Sequence, residues 1–412
     1  MKREEGMRDR VATIKLPAAP RPIFPPVRKV GKGGSLGIPH AITSPPAHKE
    51  VCLLPGPVAL STDVQTALAH SPLYHRDPDF VTLFENVRAQ LGSLAGARNV
   101  ALFVGSGTLA NDVAAATLAA TPRAGRGLIL DNGAFGNRLV AQASRFGLTP
   151  RVLSWPWGSP WNLDEVAAAL DQEPAGSWVW GVHHESSTGV LNDLPALVRL
   201  ARSRGIRVCA DCVSSIGAVP LDLSDIYLAS GTSGKALGSC SGIALVFADT
   251  RQMHDLDTTR VPSYLDLPAT LACEGPRFTF PSAPLFALAV ALTEYETAAR
   301  AAARYESYAA VGRCVRQQLR LLGLVPLARE CDACPVLTTF APWEDWSSQA
   351  FVDVCRHAGF LIGGQSTYLT ERRLVQIATM GSITREDCEP LFEHLARVRK
   401  GNAFSQEGGR IP

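Results

Sequence analysis

Between Val100 and Phe247, seven short apolar runs alternate with stretches of helical periodicity, and this alternation restricts the fold more than any other feature of the chain. The runs are Val100–Val104, Gly127–Asp131, Pro150–Ser154, Ser177–Val182, Arg207–Ala210, Ile226–Ala229 and Gly242–Phe247. Helical spacing falls between them at Leu109–Ala119, Arg138–Phe146, Leu163–Leu170 and Leu194–Arg204. Strands that are apolar throughout, rather than at every second position, are covered on both faces. The pattern therefore predicts an α/β fold with a mainly parallel, seven-stranded sheet sandwiched by helices. Such sheets bind ligands beyond the carboxyl ends of their strands, so the residues that end each run are where chemistry is to be sought.

The flanks read differently. Residues 1–50 are rich in proline, glycine and basic side chains and predict an extended, partly disordered arm, with Met7 as an alternative start. A large domain is expected over residues 51–285, opening with a helix capped by Ser61 and an amphipathic helix at Val81–Leu94. A smaller α+β domain is expected over 286–400. It begins with a helical stretch from Phe286 to Leu324, broken near Val311-Gly312, and continues with strands at Val336–Phe340 and Leu374–Ile377 and helices at Ser348–Ala358 and Arg385–Lys400. Residues 401–412 read as a frayed tail.

Net charge is only +2 and the basic residues are dispersed, which argues against a nucleic-acid partner. No apolar run approaches the ~20 residues a membrane span needs. The charged start, Met1 to Met7, lacks the apolar core of a secretory signal. Ten cysteines without framework spacing fit reduced thiols in cytoplasm. Cys331-Asp-Ala-Cys334 has no second pair, so no metal site is expected.

Several polar motifs follow the apolar runs. Gly105-Ser106-Gly107-Thr108 opens a helix, and N–H groups at a helix start together with two hydroxyls can cradle a phosphate or merely cap the helix. Gly133-Ala134-Phe135-Gly136-Asn137-Arg138 sets an aromatic among small residues, where it can stack on a flat ring or lie buried under a loop. Glu185-Ser186-Ser187-Thr188-Gly189 offers hydroxyls at a strand end. His183 and His184, adjacent on a strand, point opposite ways and cannot share one metal. Asp211 ends the apolar strand Val208-Cys209-Ala210, and a buried carboxylate requires a cation, such as a protonated pyridine nitrogen. Lys235 stands in the small-residue stretch Ser230–Gly238, 24 residues after Asp211, where a lysine can form an imine with a carbonyl or simply face water.

Taken together, these motifs resemble the class V branch of the fold-type I pyridoxal-phosphate enzymes. Among those, the chain is most similar to 2-aminoethylphosphonate:pyruvate and alanine:glyoxylate (serine:pyruvate) aminotransferases. Further motifs carrying the resemblance are Pro55-Gly-Pro57, Asp211-Cys-Val-Ser-Ser215, Ser233-Gly-Lys235, Arg277-Phe-Thr279 and Ile377-Ala-Thr-Met-Gly381. The resemblance implies pyridoxal 5'-phosphate as cofactor, with Lys235 forming its aldimine and shuttling the proton, and Asp211 holding the ring nitrogen. It implies Phe135 stacked on the ring, and Ser106, Gly107 and Thr108 on the phosphate. Thr188 would lie near the phenolic oxygen, with Ser214 also at the cofactor. It further implies a homodimer in which Thr279 reaches the phosphate from the partner subunit.

One departure concerns the substrate, for which Pro57, Arg76 and Gln376 are the candidate contacts. Where these aminotransferases read Arg-Ile-Gly, with the arginine clamping the substrate's carboxylate or phosphonate, this chain has Val375-Gln376-Ile377 at that place. Glutamine lacks the charge for a bidentate pair. Arg372, Arg373 and Arg76 are candidates to replace it, or the donor lacks an α-carboxylate. The expected activity is amino transfer from a small amine or amino acid, with a 2-aminoethylphosphonate-like or another non-standard donor as candidates, to a 2-oxo acid or aldehyde. The alternatives are a desulfurase-like lyase using Cys331 or Cys334, or a cofactor-binding protein without catalysis.

Overall fold

A computed structural model describes residues 50–121 and 126–407, with side chains through Lys400. The expected arm at 1–49 and the end of the tail after Glu407 lie outside the described residues.

The chain enters through strand β1 (Val51–Leu53), helix α1 (Thr62–Ala67) and the long helix α2 (Pro78–Ala95). Both helix starts have a local cause. Ser61 Oγ accepts from Val64 N, while Asp77 accepts from Asp79 N with Pro78 in the first helical position, where its missing N–H costs nothing. The alternation then follows: β2 (Asn99–Gly105), α3 (Gly107–Ala119), β3 (Gly127–Asp131), α4 (Ala134–Arg145), β4 (Arg151–Ser154), α5 (Leu163–Leu170) and β5 (Trp178–Val182). A small hairpin, β6 (His184–Glu185) with β7 (Val190–Leu191), precedes α6 (Leu194–Arg202), β8 (Arg207–Asp211), β9 (Leu228–Thr232) and β10 (Gly242–Ala248).

Seven of these strands form one sheet in the order β2-β10-β9-β8-β5-β3-β4. All neighbours are parallel except β10, which runs antiparallel to both β2 and β9. The two sheet faces feed separate cores. Leu128, Leu130, Val179 and Val208 pack on one side, while Ile129, Trp178, Trp180 and Cys209 pack on the other. The sheet is thus the covered, mainly parallel one the apolar runs predict.

After β10 come α7 (Leu267–Leu271), α8 (Ser282–Leu292), α9 (Ala298–Leu321), β11 (Leu337–Phe340), α10 (Ser348–His357), β12 (Phe360–Ile362), α11 (Thr367–Glu371), β13 (Val375–Ala378) and α12 (Arg385–Glu407). β11 pairs antiparallel with β13, and β12 pairs parallel with β1, so the first described strand joins the last third of the chain. A third core gathers Leu53, Val315, Phe340, Phe351, Ile377 and Leu391.

Four boundaries correct the sequence reading. The break expected at Val311-Gly312 falls at residues 293–297, where a 3-10 turn (Thr293–Tyr295) leads to Thr297, whose side chain caps α9. Gly312 lies inside the continuous helix because a Cβ there would sit 2.0 Å from Pro335 O. Helix α4 begins at Ala134, not Arg138, which makes Phe135 part of its first turn. Strand β9 runs on to Thr232, shortening the loop before Lys235. Helix α12 continues to Glu407, seven residues past Lys400. Among the described residues no helix is long and apolar enough to cross a membrane, and the ten cysteines are unpaired.

Candidate active site

At the carboxyl ends of β5, β8 and β9 lies a cavity of about 230 Å³. Helix α3 contributes Ser106, Gly107 and Thr108 to its wall. Ser106 is the N-cap residue, yet its side chain makes no capping bond, so its hydroxyl and the first helical N–H groups remain available to an anion. Gly107 packs on the Val213 side chain, and a Cβ there would come within 2.5 Å of Val213 Cγ1.

Asp211 occupies the last position of β8. Its carboxylate accepts from Asn111 Nδ2 at 2.7 Å and from Val213 N at 2.9 Å. Burial pushes its pKa up, and the two hydrogen bonds oppose that shift without cancelling it. A buried acid so placed favours a cationic partner. Asn111 is held by this contact on one side only, its Oδ1 having no partner among the described residues.

Lys235 stands in the turn between β9 and β10. The turn is tight: a Cβ on Gly234 would lie 2.4 Å from Ser241 Oγ and 2.7 Å from Ser241 Cα. Burial lowers the Lys235 pKa, while Asp211 pulls it back up. A desolvated lysine of this kind has more of its amine neutral and nucleophilic. Its Nζ lies 5.4 Å from the centroid of the Phe135 ring.

Phe135 is aimed by a buried carboxylate. Glu185 accepts from Gly136 N at 2.9 Å, Phe135 N at 3.2 Å, Ser187 N at 3.1 Å and Ser187 Oγ at 2.5 Å. It thereby satisfies the exposed N–H groups at the start of α4, where a negative charge also meets the positive end of the helix. One turn on, Arg138 lies 4.7 Å from the Phe135 centroid and also lines the cavity. No acidic side chain forms an ion pair with it among the described residues.

Ser106, Gly107, Thr108, Phe135, Asp211, Ser214 and Lys235 are thus brought together as expected. Other expected residues are not. Thr188 is turned away, donating to Glu185 O at 3.1 Å, and Ser186 lines the cavity instead. Pro57 is exposed, and its neighbour Gly56 is the residue on the wall. Arg76 is occupied in holding Pro276 O and Arg277 O at 2.9 and 3.0 Å. Thr279 is exposed and does not line the cavity of its own chain.

Gln376 is fully buried on β13. Its Nε2 donates to Ser186 O at 2.6 Å and Thr339 Oγ1 at 3.0 Å, which uses both amide hydrogens. Arg372 lies 3.9 Å from the Trp157 ring, and Arg373 donates to Glu344 O. Asn111, His184, Ser186 and Val213 line the cavity without having been singled out as ligands. An alternating count from Val182 along the strand finds two of them, because residues 182, 184 and 186 share one side.

His183 faces elsewhere, into a separate cavity of about 630 Å³ that also receives Cys331. Cys334 is buried, with its thiol pushed up to about 12.

Comparison with known proteins agrees with this geometry. The family described as aminotransferase class-V matches residues 59–261. A 2-aminoethylphosphonate–pyruvate transaminase of Burkholderia ambifaria is 31% identical over 361 residues, covering 84% of this chain and 95% of that protein. One from Vibrio cholerae is 28% identical over 356 residues, covering 83% and 96%. Among solved structures, an alanine–glyoxylate aminotransferase from Nostoc sp. superposes with a TM-score of 0.76 at 26% identity, covering 88% of this chain and 99% of that one.

Proposed function

The chain belongs to the class-V aminotransferases, pyridoxal-phosphate enzymes of fold type I, and we propose that it moves an amino group from a small amine with an acidic end, such as a 2-aminoethylphosphonate-like donor, to a 2-oxo acid or aldehyde. The observation carrying this reading is the convergence on one cavity of an uncapped helix start, an aromatic wall, a buried carboxylate and a desolvated lysine. These groups fit the cofactor part by part: phosphate, ring, ring nitrogen and aldehyde. When bound, pyridoxal phosphate supplies an aldehyde that condenses with amines and a ring that accepts the electron pair released at the neighbouring carbon.

The residues then have distinct tasks. Ser106, Gly107 and Thr108 hold the phosphate, and Phe135 and Val213 wall the ring and exclude water. Asp211, positioned by Asn111, would hold the protonated ring nitrogen. Lys235 would serve as general base for the proton on the donor's carbon and as general acid for its return. Thr279 serves the phosphate of a partner subunit in a homodimer.

Substrate selection rests on charge. With both Gln376 hydrogens spent, Arg138 is the guanidinium on the cavity wall and takes the acidic end of the donor. The lyase alternative gains nothing from the structure, since Cys331 lines the other cavity and Cys334 is buried.

Reconstituted protein is offered 2-aminoethylphosphonate, L-alanine and a neutral alkylamine, and loss of the visible band is followed. The phosphonate donor should bleach the colour at the lowest concentration. An Arg138→Leu change should raise its half-saturating concentration by about 10- to 100-fold, the loss of one charge-assisted contact. A colourless protein refutes the cofactor assignment. L-Alanine bleaching as well as the phosphonate refutes the reasoning from Gln376.

A further inference from the structure

His184 presents an unusual feature. Its Nδ1 lies 3.2 Å from Ser214 O, and a carbonyl only accepts, so Nδ1 carries the ring hydrogen. Nε2 therefore shows a bare lone pair. The side chain is fully buried, Nε2 has no donor among the described residues, and His184 is nonetheless among the residues of the cavity wall. Burial holds the imidazole neutral, its pKa down to about 3, so no second proton satisfies Nε2 at ordinary pH. A buried acceptor left unmatched costs about 1–3 kcal/mol, and one carried by a residue in the wall of a ligand site can be matched by the ligand.

The sheet order indicates which part of the ligand reaches it. Three anchors orient a pyridoxal ring: its nitrogen at Asp211, its aldehyde at Lys235 and its phosphate arm at the start of α3. Asp211 ends β8, and α3 follows β2, which lies on one side of β8 in the sheet, whereas His184 follows β5 on the other side. The ring edge opposite the phosphate arm therefore faces β5, where Val182, His184 and Ser186 project on one side. That edge bears a methyl and a phenol hydroxyl, of which only the hydroxyl can donate.

Resting on the cofactor reading above, we propose that His184 Nε2 accepts a hydrogen bond from the phenol hydroxyl of the bound ring and biases the cofactor towards its oxygen-protonated form. Ser214, through its carbonyl, is the positioning residue that fixes the tautomer this requires.

The test uses the holoprotein and the ratio of near-ultraviolet to visible cofactor bands, which report oxygen-protonated and deprotonated ring. His184→Asn keeps an N–H for Ser214 O but removes the acceptor at Nε2. It should shift the ratio about five- to tenfold towards the visible band, the value of one hydrogen bond. His184→Gln, which can return an oxygen to that place, should shift it less. A His184→Asn protein that binds cofactor with the wild-type ratio overturns the proposal. Should that variant fail to fold, wild-type apoprotein still decides: it should bind pyridoxal phosphate at least about fivefold tighter than 3-deoxypyridoxal phosphate, and equal affinity overturns the proposal. Wild-type protein that takes up neither compound overturns the cofactor reading instead, so the two failures are distinguishable.

Discussion

Replacing Asp211 by asparagine is the most discriminating single change in the cavity. The shape of the side chain is retained, and an acceptor remains for Asn111 Nδ2, now 2.7 Å away. The negative charge is lost. A buried charge pair about 4 Å apart in an effective dielectric near 20 is worth about 4 kcal/mol. Without it the ring nitrogen has no partner for its proton, and the ring becomes a poorer acceptor of the electron pair. At about 1.4 kcal/mol per decade, turnover should fall roughly a thousandfold.

A second consequence has the opposite sign. The folded-state pKa of Asp211 is raised by burial, above about 3.9 in the unfolded chain. Within that window the folded state holds more protons, so Asp211 makes cofactor-free wild type lose stability as pH rises, a contribution the asparagine variant lacks. Urea unfolding of both apoproteins from pH 4 to 8 should show their difference moving in favour of the variant. Steady-state turnover with saturating cofactor supplies the other half. A variant retaining a tenth or more of wild-type turnover with cofactor bound would refute Asp211 as the ring-nitrogen partner. A stability difference that is flat with pH would refute the raised carboxyl.

Lys235→Ala should lower turnover by at least about 10²–10⁴, the span of general acid–base catalysis, and borohydride should no longer fix cofactor to the chain; mass spectrometry of the reduced protein checks this. Gln376→Ala strips the donor from Ser186 O and Thr339 Oγ1 in a fully buried site, so denaturant unfolding should record a loss of about 2–4 kcal/mol. Glu330 is held down to about 2 by Arg316 and Arg320. Its ion pairs stabilise fully above the unfolded carboxylate range near 4.3 and are lost as pH falls through 2. The stability gap between wild type and Glu330→Gln should therefore close over that interval in urea titrations.

The central sheet was legible because its strands are buried on both faces and so announce themselves by composition alone. The boundaries were less so, where backbone geometry rather than side-chain character decides. Ser230-Gly231-Thr232 reads as a small-residue loop, yet it continues β9, because antiparallel pairing to Leu245 and its neighbours asks only for N–H and C=O groups. A Cβ on Gly231 would also meet the Phe247 ring at 3.1 Å, so the glycine serves a close approach, not a turn. Gly312 misled in the same way. The pairing of β1 with β12 joins residues 51–53 to residues 360–362, and nothing local in either segment signals it.

At the site, residues with a directional chemical need were legible, and those defined by which way a side chain turns were not. A carboxylate ending an apolar strand and a lysine among glycines point to their partners by type. Between Val182 and Thr188, however, the choice between hydroxyls depends on strand parity, then on the turn that Glu185 imposes by gathering the N–H groups of Phe135 and Gly136. Parity selects Ser186, and the turn sends Thr188 back to Glu185 O. Gln376 shows the same limit. Its missing charge is readable, but its task is not. The amide joins β13 to Ser186 O at 2.6 Å, on the stretch assigned to the ring's phenol edge. It acts as a neutral strut behind the cavity wall that Ser186 lines. An arginine there would need to leave that carbonyl to reach a donor, which is a physical argument in favour of the proposed contact between Arg138, on α4, and the donor.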